Sequence, residues 1–359
     1  MEKELFEEYV KASEPGTRQK AYAWTTAIGL QAVDGLKTSE YLTEIAQKNI
    51  EGEITVEEAN SLINSYYKKQ KARSIDRIDE ADKVSARIAQ LILEDAFVFS
   101  VAQYVSIHKQ LFEGVYDHAG KIRDYNISKS EWVLNGETVT YGNASDLKEM
   151  LEYDLSLEKA FDYKGLSNDK MVEHLARFVS NLWQIHAFGE GNTRATAVFT
   201  IKYLRTLGFD ITNNEFFAKN SWYFRNALVR ANYTNFKLGI HETTVYLELF
   251  FKNLLFGEEN ELKNRNMHIS GSFEKVDIRD KKVDIRDEKV DIRSVSKRTL
   301  SNIEKLKKAI SDREYFGRSD VVRVLQLADS SASKFLKNMV EAGIIEPVHG
   351  HGKGKYKFN

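Results

Sequence analysis

Cysteine is absent from the 359-residue chain, and proline occurs only twice, at Pro15 and Pro347. The first absence excludes a disulfide scaffold, a thiolate zinc site, an iron–sulfur cluster and a cysteine nucleophile. The second leaves little to interrupt helices, because proline removes a backbone donor and clashes with the preceding turn. No run of about 18 uncharged apolar residues occurs, so no spanning helix and no membrane partner are expected. Four of the first eight residues are glutamate, which does not read as a signal peptide. Hydrophobic residues make up 42% and aromatics 11%, enough for a globular core. At roughly 100–200 residues per domain, two or three domains are expected. With no cysteine to protect or oxidise, the expectation is a cytoplasmic, mostly α-helical protein.

Charge is also unevenly spread. Residues 296–359 carry 13 Lys and Arg against 7 Asp and Glu, whereas the remainder carries 39 against 46. A basic module on an acidic body suggests that the tail meets a polyanion. Between them runs Lys275-Val-Asp-Ile-Arg-Asp280, repeated from Lys282 and again from Lys289. Three copies are too few for a solenoid, and the segment reads as a charged linker over 258–295. The resulting division is 1–70, a core over 71–257, the linker, and a terminal module over 296–359.

Local signals place the helices. Ser39-Glu40 opens one that stops near Gly52, and Thr55-Val-Glu-Glu58 is a capping box for the next. Amphipathic stretches follow over 75–92 and 95–112. Leu175, Phe178, Val179, Leu182 and Ile185 form one apolar face of a helix from about 168. Further helices are expected over 194–207, ending at Gly208, and over 236–255. One stretch differs. Two β-prone runs, 130–134 and 137–141, flank Asn135-Gly136, which is the strongest short hairpin signal. A lone hairpin is marginal, so it is expected to act as a flap formed by Trp132, Val133, Leu134, Asn135, Gly136, Glu137 and Thr138.

Chemistry concentrates in Ile185-His-Ala-Phe-Gly-Glu-Gly-Asn-Thr-Arg194. A helix delivers His186, a glycine-rich loop follows, and a new helix begins near Arg194. Unpaired N–H groups at such a start make an anion site. Arg194 offers a bidentate phosphate ligand, Glu190 a hard oxygen for Mg²⁺, and His186 a base near neutral pH. Phe188 is an apolar anchor for the loop. Taken singly, each of these is weak: a His at a helix end more often holds a carbonyl, and Gly-x-Gly alone is common.

Their order is more specific. The string resembles the Fic signature His-x-Phe-x-(Asp/Glu)-Gly-Asn-(Gly/Lys)-Arg-x-x-Arg, matching at His186, Phe188, Glu190, Gly191, Asn192 and Arg194. Leu111 to Asp117 and Asn126 to Lys129 also look like family sequence, and the likeness extends over about 95–245. The resemblance implies a Fic-type helical core and transfer of AMP from ATP to a Ser, Thr or Tyr hydroxyl of a target protein. It implies His186 as general base, Glu190 holding Mg²⁺, Phe188 and the Gly191, Asn192 and Thr193 backbone at the nucleotide, and Arg194 on the β-phosphate. The flap would dock the target by strand addition. Two positions depart from the signature. Thr193 replaces Gly or Lys, and Ala197 stands where the family's second arginine contacts the γ-phosphate.

The segment 20–68 resembles small bacterial antitoxins that restrain such enzymes with a glutamate-bearing helix. In that register Asp34 takes the glutamate's place and Leu30 the hydroxyl residue's. Three readings stay open: a decayed brake, an Asp34 that reaches Arg194, or a plain helix terminus. In the terminal module, a helix around Ser330 to Gly343 and a glycine-rich turn near His351 resemble a winged helix-turn-helix. Ser330, Ser331, Ser333, Lys334, Lys353 and Lys355 are its candidate DNA contacts; a protein-binding role for the module is equally open, as is a homodimer. The alternative to the enzyme is a decayed Fic fold that senses nucleotide while serving as a DNA-binding or scaffold protein.

Overall fold

The computed structural model describes residues 6–12, 14–69, 77–209, 216–270, 297–309, 315–325, 332, 335, 336, 339, 340, 344–348 and 355–358. They belong to two compact units, residues 1–275 and 276–359.

The first unit is helical. Its elements are α1 (Glu7–Ala12), α2 (Pro15–Gly29), α3 (Glu40–Glu51), α4 (Val56–Lys69), α5 (Ile78–Leu93) and α6 (Val101–Phe112). After these come α7 (Leu147–Lys159), α8 (Asn168–Ile185), α9 (Asn192–Thr206), α10 (Phe216–Lys219), α11 (Ser221–Ala231) and α12 (Val245–Phe256). The boundaries follow local chemistry. The Ser39 hydroxyl accepts the Leu42 N–H at 3.1 Å, and α3 ends where Gly52 turns left-handed. At α4 the capping box closes both ways: Thr55 N–H to Glu58 at 2.8 Å, and Glu58 N–H to Thr55 at 3.1 Å. Ser100 and Ser167 cap α6 and α8.

One apolar core runs through this unit, from Phe6 to Met267. α2 packs on α5, and Trp24 is fully buried, donating its indole N–H to Asn49 at 2.9 Å. Residues 20–68 therefore share the core of the residues that follow. Past Gly29, α2 runs into a 3-10 helix, Leu30–Asp34, which brings Asp34 under α9 and α11.

Several expectations are corrected. Residues 94–99 are not helical and precede the Ser100 cap, and helix α12 begins only at Val245, after a 3-10 turn at Phe236–Leu238. No strand forms at 130–141. Trp132–Leu134 is a 3-10 turn, followed by Asn135 and Gly136 at φ 55° and 89°. The Glu131 N–H donates to Glu137 C=O at 2.9 Å, so the chain does reverse at Asn-Gly. What defeats the strand is burial: Glu131, Val133 and Leu134 are all buried, and neighbours in a strand face opposite ways. Val133 and Leu134 therefore belong to the core and leave Trp132 as the exposed apolar side chain of the turn. Residues 258–270, read as the start of the linker, pack on the unit: Met267 is buried and Ile269 N–H donates to Val133 C=O at 3.0 Å.

The second unit has α13 (Lys297–Ala309), α14 (Arg318–Leu325) and a three-stranded antiparallel sheet. β3 (Lys355–Phe358) lies between β1 (Phe316–Gly317) and β2 (Ile345–Pro347), with Ile345 opposite Phe358 and Phe316 opposite Tyr356. Ile303, Leu306, Phe316, Val321, Leu336 and Met339 are among its buried core. Ser330, Ser331, Ser333, Lys334, Lys353 and the three heptapeptides lie outside the described residues. Lys355 opens β3, its ammonium 6.0 Å from the centre of the Tyr315 ring.

Candidate functional site

The site is assembled at the junction of α8 and α9. Helix α8 ends when His186 adopts a left-handed conformation, φ 50° and ψ 55°, with its N–H still donating to Trp183 C=O at 3.0 Å. Such a backbone is costly for a residue with a β-carbon and marks a position fixed by its surroundings. Those surroundings are identifiable. Arg123 donates to the carbonyls of His186 (2.7 Å), Gly142 (2.6 Å) and Tyr125 (2.6 Å), and its own N–H donates to Ala187 C=O at 2.9 Å. One buried guanidinium thus ties the end of α8 to the two stretches flanking the 130–141 loop.

His186 is 3% exposed and packed against Tyr141 and Trp183, with ring centroids 4.1 and 5.3 Å away. Burial, then the Lys129 charge, hold its basicity well below that of a free imidazole, so it is neutral near pH 7. Its Nδ1 lies 3.4 Å from Trp183 C=O, whereas Nε2 is buried with no partner among the described residues. With the proton on Nδ1, Nε2 offers a lone pair.

The loop beyond it is built to hold one shape. Asn192 accepts the Phe188 N–H at 2.9 Å and donates to Phe188 C=O at 2.7 Å. The Phe188 ring lies on that of His108, 3.7 Å between centroids and 13° between planes. Phe188 is wholly buried, which makes it the loop's anchor rather than an exposed contact. Gly191 starts α9 at φ 76°, and a β-carbon there would meet the Phe112 ring at 2.4 Å. Only glycine fits. The N–H groups of Asn192, Thr193 and Arg194 precede the first intrahelical bond, Ala195 N–H to Gly191 C=O at 3.0 Å. The Thr193 hydroxyl is turned away from this opening: it accepts the Trp183 indole N–H at 3.0 Å.

Glu190 is the partly exposed carboxylate of the loop, and Lys129 reaches it at 2.9 Å. No group of three or more His, Asp or Glu that could hold a metal occurs among the described residues. A single carboxylate does suit Mg²⁺, which takes most of its remaining ligands from phosphates and water.

Arg194 is fully buried and extensively partnered. Its Nε is 2.8 Å from Asp34 Oδ2, an ionic contact not aligned as a hydrogen bond. Its Nη2 meets Glu80 at 2.8 Å and its Nη1 meets Gln31 at 3.0 Å, while Phe112 lies beneath the guanidinium at 4.8 Å. Glu80 is itself held by Arg77 and Tyr116. Burial opposes its charge, but Arg77, Arg194 and Tyr116 outweigh it and keep the carboxyl below its usual range. Asp34 thus contacts Arg194, and Gly35 ends its 3-10 turn in a left-handed conformation.

No sequence signal marks Arg225. Located on α11, 28 residues beyond Ala197, it contacts Asp34 Oδ1 at 3.2 Å and both oxygens of Glu131 at 3.0 Å. Tyr141, packed against His186, donates to the same Glu131 at 3.2 Å. His108 was missed as well. It accepts the Gly120 N–H at Nδ1 and so donates from Nε2 to Glu190 C=O, both at 2.9 Å.

Among solved structures, one similar chain is the crystal structure of a Fic family protein from Desulfovibrio desulfuricans G20. It is 14% identical over 96% of this chain and 88% of that one, with a TM-score of 0.45, a likeness that carries no functional argument. No curated protein matches. The family comparison is confined to the core: residues 98–204, from just before α6 into α9, form a Fic/DOC family domain.

Proposed function

We propose that the chain is a Fic-type nucleotidyl transferase that moves AMP from ATP to a hydroxyl side chain of a target protein. The observation that carries this reading is the neutral, buried His186, its Nε2 without a partner among the described residues, just ahead of the α9 start whose first N–H groups make no intrahelical bond. The Nε2 lone pair takes the hydroxyl proton as the target oxygen attacks the α-phosphorus, and pyrophosphate leaves. The Asn192, Thr193 and Arg194 N–H groups face developing phosphate charge at a helix start that favours anions. Glu190 is the residue that would hold Mg²⁺, which screens phosphate charge when bound; Lys129 must release it. The turn at Trp132 to Thr138 is the target-docking edge, with Trp132 exposed and the main chain rather than Val133 or Leu134 as its means of contact. Asp34 restrains the site by occupying Arg194.

A second reading has an observation in its favour. Arg194 is entirely buried among Asp34, Glu80 and Gln31, and Ala197 supplies no second charge. A site so engaged suits a nucleotide-sensing scaffold, with residues 296–359 as a winged-helix module that contacts DNA or protein. The test is incubation with Mg²⁺ and each nucleoside triphosphate, reading added mass on the chain and in cell lysate, for wild type, Asp34→Ala and His186→Ala. An adduct abolished by His186→Ala supports transfer and identifies the donor. No adduct from wild type or Asp34→Ala favours the scaffold.

A further inference from the structure

We propose that Arg225 is a ligand for the terminal phosphates of the nucleotide, supplying from α11 the charge that Ala197 does not; this rests on the nucleotide reading above. Two guanidinium groups converge on one carboxylate. Arg194 faces Asp34 Oδ2 and Arg225 faces Asp34 Oδ1, at 2.8 and 3.2 Å. Two oxygens on one carbon are spaced much like two oxygens on one phosphorus, so an anion that displaces Asp34 from Arg194 meets Arg225 too.

Arg225 is also preset for that task. Its Nη2 is committed to both oxygens of Glu131, which fixes the plane of the fork. Among the described residues, its Nη1 contacts Asp34 and its buried Nε has no hydrogen-bond partner. A buried donor with no acceptor is costly in a finished core and expected in a binding site. The position is right as well: Glu131 accepts from Tyr141, whose ring packs on His186, so Glu131 and Tyr141 link Arg225 to the base. Charge balance points the same way. Arg77, Arg194 and Arg225 face Glu80, Asp34 and Glu131, three against three, and withdrawal of Asp34 leaves an excess positive charge for a polyphosphate.

The experiment measures binding of ATP and AMP, each with Mg²⁺, to full-length wild type, Asp34→Ala, Arg225→Ala and Arg225→Lys. Loss of a charged hydrogen bond to phosphate predicts that Arg225→Ala weakens ATP by about 10-fold or more. AMP, which has no terminal phosphates, should stay within about twofold of wild type, because no such bond is lost. AMP binding also reports that the variant is folded; should Arg225→Ala not fold, Arg225→Lys is expected to lose ATP selectively, since an ammonium cannot span Glu131 and a phosphate. Equal losses for ATP and AMP, or no loss of ATP, overturn the proposal. If neither wild type nor Asp34→Ala binds any nucleotide, the nucleotide reading fails and Arg225 falls with it. Selective ATP loss without any His186-dependent transfer sinks the transferase but leaves Arg225 a phosphate ligand.

Discussion

The His108 ring lies flat against Phe188, 3.7 Å between centroids, while its two nitrogens bridge Gly120 N–H and Glu190 C=O. This contact joins α6 to the motif loop. Burial, the first of its causes, pushes His108 down to about 4 from the free value of 6.5. The folded state therefore resists a proton that the unfolded chain accepts. Stability is full above pH 6.5 and falls as pH drops toward 4. Between pH 7.5 and 5, His108 should account for a loss of about 2 kcal/mol. Urea unfolding at both pH values, with His108→Gln as comparison, reads it; an unchanged acid sensitivity in the variant would sink the assignment.

Arg123 predicts a different kind of failure. It is 4% exposed and bound to carbonyls rather than to a carboxylate. Arg123→Gln leaves several buried acceptors unpaired, and a destabilisation of about 3 kcal/mol or more is expected. Arg123→Lys should recover only part of it, because an ammonium cannot reach carbonyls on three separate stretches in one plane. Denaturant midpoints for the three proteins decide the order.

Gly191 and Gly52 offer a matched pair. Both are left-handed, at φ 76° and 83°, yet a β-carbon at Gly52 would meet nothing within 4 Å. Gly52→Ala should cost about 1 kcal/mol, the backbone term alone. Gly191→Ala adds the clash with Phe112 and should cost about 3 kcal/mol. Comparable losses would mean that Phe112 yields easily.

Asp34→Ala separates stability from activity. Removing the carboxylate leaves Arg194 and Arg225 facing one another in a buried space, and a loss of about 3 kcal/mol is expected. Adduct yield should nevertheless rise, because the anion competing for Arg194 is gone. A variant that is less stable and no more active would make Asp34 a structural residue.

How much of this was legible depended on distance along the chain. The caps at Ser39 and Thr55, the αL stops at Gly52 and Gly208, and the loop Phe188–Asn192 are local devices, and their chemistry is written within a few residues. The motif also placed His186 correctly at the end of α8. Trp132–Leu134 was misread because alternation and an Asn-Gly turn signal a hairpin equally well whether or not both neighbours are buried; burial is a tertiary fact. Arg225, Arg123 and His108 were invisible for a further reason. Each acts mainly through partners distant in the chain, and an isolated Arg or His, in a helix as His108 and Arg225 or in a loop as Arg123, has no local mark of its task. Asp34 was visible only through its register against a known pattern.

One consequence follows from the core shared by α2 and α5. Because Trp24 and its neighbours are buried in the same unit as the motif, Asp34 meets Arg194 within a single molecule. The encounter is independent of dilution, since its effective concentration is set by the chain and not by the amount of protein. Cutting away residues 1–70 would remove part of that core along with the carboxylate, so it is no clean way to expose Arg194. The carboxylate that meets Arg194 is carried by the short 3-10 turn Leu30–Asp34, so the contact belongs to each copy of the protein separately.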